Sequence, residues 1–152
     1  MSQFFTDFIE QLTFLHDEIK KELDRLPEEA LDWSPADDMN SMAVLIAHLA
    51  GAERYWTCDV ALGKESDRVR SQEFETKNRS KADLIALLDN TLAEISEVVA
   101  QIKIEDLETI RYSSNFREEV SVSMCLLHAM EHTATHVGHI QMMRHYWEHV
   151  HK

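Results

Sequence analysis

Nine histidines stand in this chain of 152 residues, and most of them gather near its C-terminal end. The densest stretch reads Leu127-His128-Ala129-Met130-Glu131-His132-Thr133-Ala134-Thr135-His136-Val137-Gly138-His139-Ile140. Neutral imidazole is the commonest protein ligand for a divalent transition metal. On a helix turning about 100° per residue, with His128 at zero, His132 falls near 40°, His136 near 80° and His139 near 20°. All four share one broad face. Histidines four residues apart are separated by about 6 Å along the axis, which lets two rings converge on one ion at roughly 2.0–2.1 Å per nitrogen.

Angle alone does not choose the pair. Cys125, Ala129, Ile140, Met143 and Trp147 centre at about 60–120° on the same wheel, so His132 and His136 point into the apolar sector while His128 and His139 sit at its edge. A third ligand has to come from another helix, and His48, flanked by Leu45, Ala52 and Trp56, has a core-type face. His16, one position after Leu15, is expected at the surface, and His145, His149 and His151 lie in polar surroundings near a fraying end. A lone histidine is most often a surface residue. Three on core-facing sectors, however, bury three expensive polar groups unless something pairs them, and a metal would do so.

Other chemistry-bearing residues are weaker candidates. Glu53 and Glu131 are candidate general bases, although Glu131, at about −60° on the wheel, reads equally well as a solvated side chain. Cys58 and Cys125 sit among apolar helical residues and are expected to pack in the core as reduced thiols. A zincin-type protease is excluded, because His132-Thr133-Ala134-Thr135-His136 lacks the Glu that follows the first His in that helix.

The elements that must position these residues are helical. Phe5, Phe8, Leu12, Leu15, Ile19, Leu23 and Leu26 recur at steps of three and four, predicting a first helix over Ser2 to Leu26 that Pro27 stops. A turn-rich connection from Glu28 to Met39 follows, with Asn40 placed to cap a second helix over Ser41 to Leu62, closed by Gly63. Lys64 to Arg79 reads as a long exposed connection with a helical turn around Gln72 to Phe74. A third helix, capped by Ser80 with Asp83, is expected over Lys81 to Ile102. Lys103 to Val120 has no clean period and is expected to be irregular. A fourth helix, capped by Ser121 or Ser123, runs from Val122 to His149. Gly (3) and Pro (2) are too few for a turn-rich β fold. Four amphipathic helices bury their stripes together, so the expected fold is all-α, an antiparallel four-helix bundle in one domain over 1–152.

The formal charge of −13, from 28 acidic against 15 basic side chains, disfavours nucleic acid as a partner. No stretch approaches the roughly 18 apolar residues of a membrane span, and no basic-then-apolar leader opens the chain. With only two cysteines, the expectation is a soluble cytoplasmic protein.

Two segments carry a family resemblance. Asn40-Ser41-Met42-Ala43-Val44-Leu45-Ile46-Ala47-His48-Leu49-Ala50-Gly51-Ala52-Glu53-Arg54-Tyr55-Trp56 resembles the helix-two signature of DinB-like (DinB/YfiT-type) proteins, and Leu127 to Gly138 resembles their helix-four pattern, with two histidines four apart and a Gly two residues later. Leu31-Asp32-Trp33-Ser34-Pro35 is similar to the connection before helix two. The resemblance implies that His48, His132 and His136 hold one divalent metal, nickel or zinc, with coordination positions left open. It also implies a metal-dependent enzyme acting on a small molecule, a hydrolase or a transferase with a low-molecular-weight thiol as cosubstrate; a noncatalytic metal- or ligand-binding protein is the alternative. One departure is Gly138-His139-Ile140, where many members have Gly-Gln-Ile. Aromatics in excess of a narrow core stripe, Phe4, Phe8, Phe14 and the pair Tyr146-Trp147, suggest a homodimer whose interface avoids the acidic stretch from Glu65 to Glu75.

Overall fold

The computed structural model describes residues 2–152. Four long helical segments dominate the described residues. The first, α1, spans Gln3–Asp24. The second, α2, spans Met42–Arg54 and continues as a π-helical stretch over Tyr55–Leu62. A single turn, α3, spans Arg70–Glu73. The bundle is completed by α4 (Lys81–Val99) and α5 (Val122–Val150).

Local chemistry sets these boundaries. Ser41, rather than Asn40, caps α2, its hydroxyl accepting from the Val44 amide at 3.3 Å, and Gly63 ends the π-helical stretch at φ 76°, a left-handed conformation in which glycine carries no Cβ penalty. Ser80 and Asp83 form a reciprocal capping box on α4, and Ser121 caps α5 by accepting from the Met124 amide at 3.2 Å.

The core divides into two clusters stacked along the bundle. Phe5, Phe8 and Leu12 of α1 meet Trp56 and Val60, Ile95 and Val99 of α4, and Cys125, Leu126 and Ala129 of α5. At the other end, Ile19 and Leu23 meet Leu45 and Leu49, Leu84 and Leu88, and Val137, Ile140 and Met143. The early parts of α1 and α5 therefore share an end with the late parts of α2 and α4. Helices α1 and α5 run one way and α2 and α4 the other. Each of α1 and α2 packs against α4 and α5, which puts α1 and α2 diagonally across the bundle.

That arrangement needs long connections, since α2 and α4 are parallel and no tight turn can join them. The connection between them is anchored rather than loose. Asp59 accepts from the Ser66 amide and hydroxyl, Arg54 donates to the Ser66 carbonyl, and the Asn78 amide donates to Asp32 at 2.8 Å.

Three expectations are corrected here. Lys103 to Val120 is not wholly irregular: after a 3-10 turn at Ile104–Glu108, β1 (Ile110–Ser113) and β2 (Glu118–Ser121) pair antiparallel, Ile110 opposite Ser121, with Arg117 at φ 56° in the turn. His16 is not superficial but fully buried. Its Nε2 lies 3.0 Å from both carboxylate oxygens of Glu53, and Thr133 of α5 donates to Glu53 Oε1 at 2.6 Å. This polar cluster bridges the bundle diagonal. Of the expected interface aromatics, Phe8 belongs to the core and Trp147 packs against Trp33 and His151, whereas Phe4, Phe14 and Tyr146 are exposed.

Candidate metal centre and its cavity

The α2 and α5 faces bring His48, His132 and His136 together. One ligating nitrogen from each lies within 4.8 Å of the others, and all three rings are partly buried. His48 sits 5.0 Å from His132 and 5.3 Å from His136, ring centre to ring centre, and His132 sits 4.5 Å from His136.

Several features suit these rings to a cation. Burial, reinforced by the neighbouring imidazoles, pushes the His132 pKa from its usual 6.5 down to about 3; burial together with His48 and His139 lowers His136 to about 4. Both are neutral at physiological pH, the state in which imidazole ligates. His132 Nδ1 is buried with no hydrogen-bond partner, a polar atom that a bound ion, or the orientation that ion imposes, would account for. Nitrogen-only donation suits a borderline divalent ion such as nickel or zinc.

His48 is oriented from behind. Its Nδ1 lies 2.9 Å from Glu73 Oε2, which turns the opposite nitrogen toward the other two histidines. Glu73 is itself held in a fork by Arg68, Nε to Oε1 at 2.5 Å and a terminal nitrogen to Oε2 at 2.9 Å. Burial raises the Glu73 pKa, but the Arg68 and His48 hydrogen bonds outweigh it and leave the carboxyl below its ordinary range. The carboxylate fits beside α2 because residue 51 is glycine: a Cβ there would lie 2.1 Å from Glu73 Oε1. Phe74 packs its ring 5.0 Å from that of His48.

In front of the histidines lies a cavity of about 460 Å³ lined by His48 and His132, with Trp56, His128 and Phe116 on one side and Arg68 and Arg70 on another. Its wall includes the hairpin tip, which Tyr55 anchors through hydroxyl contacts to Ser113 at 3.2 Å and Ser114 at 3.0 Å while accepting from the Asn115 amide at 3.1 Å. His128 lies against Trp56 at 4.6 Å and Phe116 at 5.5 Å. His139 is an exposed rim residue, its Nδ1 3.3 Å from that of His136.

The two candidate bases do not line this cavity. Glu53 is fully buried and committed to His16 and Thr133, while Glu131 is exposed on α5 with an oxygen 3.5 Å from His128 Nδ1. Cys58 and Cys125 are buried, and burial raises both thiols, Cys125 to about 11. Neither is a ready thiolate. Sequence reasoning missed Glu73, Arg68, Phe74 and Phe116, which belong to the two connections that carry no helical period.

A family profile described as mycothiol-S-transferase matches residues 7–148. No curated protein sequence matches. Among solved structures, YfiT from Bacillus subtilis, described as "a probable metal-dependent hydrolase with an unusual four-helix bundle topology", superposes with TM-score 0.76 at 16% identity, covering 97% of this chain and 90% of YfiT. A DinB-like protein from Bacillus cereus gives 0.74 at 16% identity, covering 93% and 91%. The mycothiol-dependent maleylpyruvate isomerase gives 0.63 at 13% identity, covering 90% of this chain and 62% of the isomerase. At these identities the likeness to solved structures speaks for the fold.

Proposed function

This chain belongs to the mycothiol-S-transferase family, of DinB-like type, and from that premise we propose that it is a cytoplasmic, metal-dependent enzyme transferring a low-molecular-weight thiol to a small electrophile. His48, His132 and His136 hold one nickel or zinc ion in this reading, and residues 1–152 act as one domain. The observation that carries it is the convergence of three imidazoles, two of them held neutral by burial, beside an open cavity of small-molecule size. A divalent ion held there supplies Lewis acidity that lowers the pKa of a thiol or a water beside it. The chain's own residues do the rest: Glu73 orients His48, and Trp56 and Phe116 give the cavity an apolar wall. The nucleophilic sulfur comes from outside, because both cysteines are buried thiols of raised pKa. In the transfer a sulfur–carbon bond forms, the electrophile's leaving group departs with its electron pair, and the thiol proton passes to solvent.

The test is turnover of a fluorogenic bimane electrophile by tag-free, zinc- or nickel-loaded protein across a panel of low-molecular-weight thiols, with simple esters and amides in parallel. Thiol-dependent turnover lost in His48→Ala supports transfer. Ester or amide cleavage instead supports a hydrolase, the reading that the description of YfiT favours. Saturable thiol binding with no turnover anywhere refutes an enzyme and leaves a binding protein.

The assembly proposed with this function is a homodimer through exposed aromatics of α1 and α5, of which Phe4, Phe14 and Tyr146 reach the surface. It leaves the acidic 65–75 connection outside, since two copies of a chain of charge −13 repel unless the shared patch is apolar. Sedimentation velocity at several concentrations in moderate salt tests it, and a monomer throughout refutes it.

A further inference from the structure

The cavity's charge runs against that of the protein. The chain carries 28 acidic and 15 basic side chains, yet the cavity lining includes Arg68 and Arg70 and no carboxylate. Arg68 is neutralised from behind by its fork onto Glu73. Arg70 is not: among the described residues it makes no ion pair, and its guanidinium lies 4.9 Å from the centre of the exposed Phe74 ring, which holds it at the mouth without compensating its charge. Opposite stands an aromatic wall, with Phe116, 50% exposed at the hairpin tip, 5.2 Å from Trp56 and 5.5 Å from His128. A large exposed ring packed on a cavity wall is a surface that a flat apolar group can cover.

We propose that this cavity selects a carboxylate-bearing small molecule with a flat apolar body, its anionic end held by Arg70 and its body against Trp56 and Phe116. This rests on the cavity being the substrate site proposed above and names the chemical class of one of its substrates. A guanidinium matches a carboxylate in geometry as well as charge.

The probes are benzoate, benzamide and benzylamine, near-isosteric molecules that are anionic, neutral and cationic at pH 7. Binding is followed on zinc-loaded full-length protein through the backbone amide shifts of Arg70, Asn115 and Phe116. The expected order is benzoate tightest, by about tenfold over benzamide, with benzylamine weakest. Benzoate also has affinity for a metal ion, so the deciding comparison is Arg70→Gln, which removes an exposed charge and should reduce the benzoate preference about tenfold while leaving metal content intact. Phe116→Ala should weaken benzoate and benzamide alike. No benzoate binding at tens of millimolar, a preference unchanged in Arg70→Gln, or equal binding of all three probes would overturn the proposal. These outcomes are independent of turnover: a protein with the charge preference but no thiol transfer defeats only the transferase reading, and one with transfer but no preference defeats only this one.

Discussion

Gly51→Ala sets two physical effects against each other. Alanine in a helix interior is favoured over glycine by roughly 0.5–1 kcal/mol, so on propensity alone α2 should gain stability. The new Cβ, however, would stand 2.1 Å from Glu73 Oε1, 2.7 Å from its Cδ and 3.1 Å from Arg68 Nε, so both halves of the ion pair are crowded at once. Glu73 is 8% exposed and bonded on two sides, which leaves it no cheap retreat. The consequence falls on His48, which loses the carboxylate that fixes its ring. Removing such an outer partner commonly costs about 10–100-fold in metal affinity, or roughly 1.4–2.7 kcal/mol. The assay is competition for zinc against a chromophoric chelator, paired with thermal melts of the metal-free protein. A double-mutant cycle isolates the route: with Glu73→Ala already present the carboxylate contacts are gone and the Arg68 side chain, released from its fork, can give way, so Gly51→Ala should then cost no further affinity. Unchanged zinc affinity in Gly51→Ala, or an equal loss in both backgrounds, would refute the argument that glycine is there to admit Glu73.

Other predictions follow from the same geometry. His132 and His136 stay neutral in the folded protein down to about pH 3 and 4, whereas the unfolded chain protonates them near 6.5, so metal-free stability should fall as pH drops from 6.5 toward 4. Melts across that range test the sign, and a flat profile would contradict it. Glu53→Ala strands a buried His16 and should lower stability by about 2–5 kcal/mol in denaturant titrations, with Glu53→Gln milder because an amide still reaches Thr133. Cys58 and Cys125 should resist a disulfide-exchange reagent in the native protein and react fully once it is unfolded; native-state labelling of either at the unfolded rate would remove the argument that the thiol comes from outside.

Much of the bundle was legible because a buried stripe must recur with the helical period. Leu12, Ile19 and Leu23, or Leu84, Leu88 and Ile95, name a core face without further information. The histidines of α5 were legible for the same reason, since Ala129, Ile140 and Met143 mark the side of the wheel that turns inward. What escaped lies where period is absent. Glu73 stands in a stretch dense with charge, and nothing in it separates a carboxylate that will be buried against Arg68 from neighbours that stay in water. The hairpin escaped because Val120 and Ser113 alone among its strand residues are buried, too few to write an alternation. His16, expected at the surface, in fact stands four residues after Leu12 and three before Ile19 on the buried stripe of α1; only its partner, Glu53, depends on which helices lie diagonally opposite. Glycine was a similar lesson: Gly138, part of the recognisable helix-four pattern, has open space where a Cβ would go, while the unremarked Gly51 is where a side chain has no room.

The diagonal placement of α1 and α2 also has a bearing on biosynthesis. Glu53 of α2 and Thr133 of α5, which are in contact, are 80 residues apart in sequence, and the three candidate ligand histidines are divided between α2 and α5 as well. Pairings of such range carry a loop-closure cost before they return any stabilisation, and they slow folding relative to bundles built from neighbouring hairpins. As the chain leaves the ribosome, His48 emerges long before α5 exists, so the nascent polypeptide can present only one of the three imidazoles until α5 has been made. If these histidines hold a metal as proposed, its selection would then be made by a bundle that already contains α5, whose packing has fixed the spacing of the imidazoles, and not by a loose chain that would take the most avid ion available.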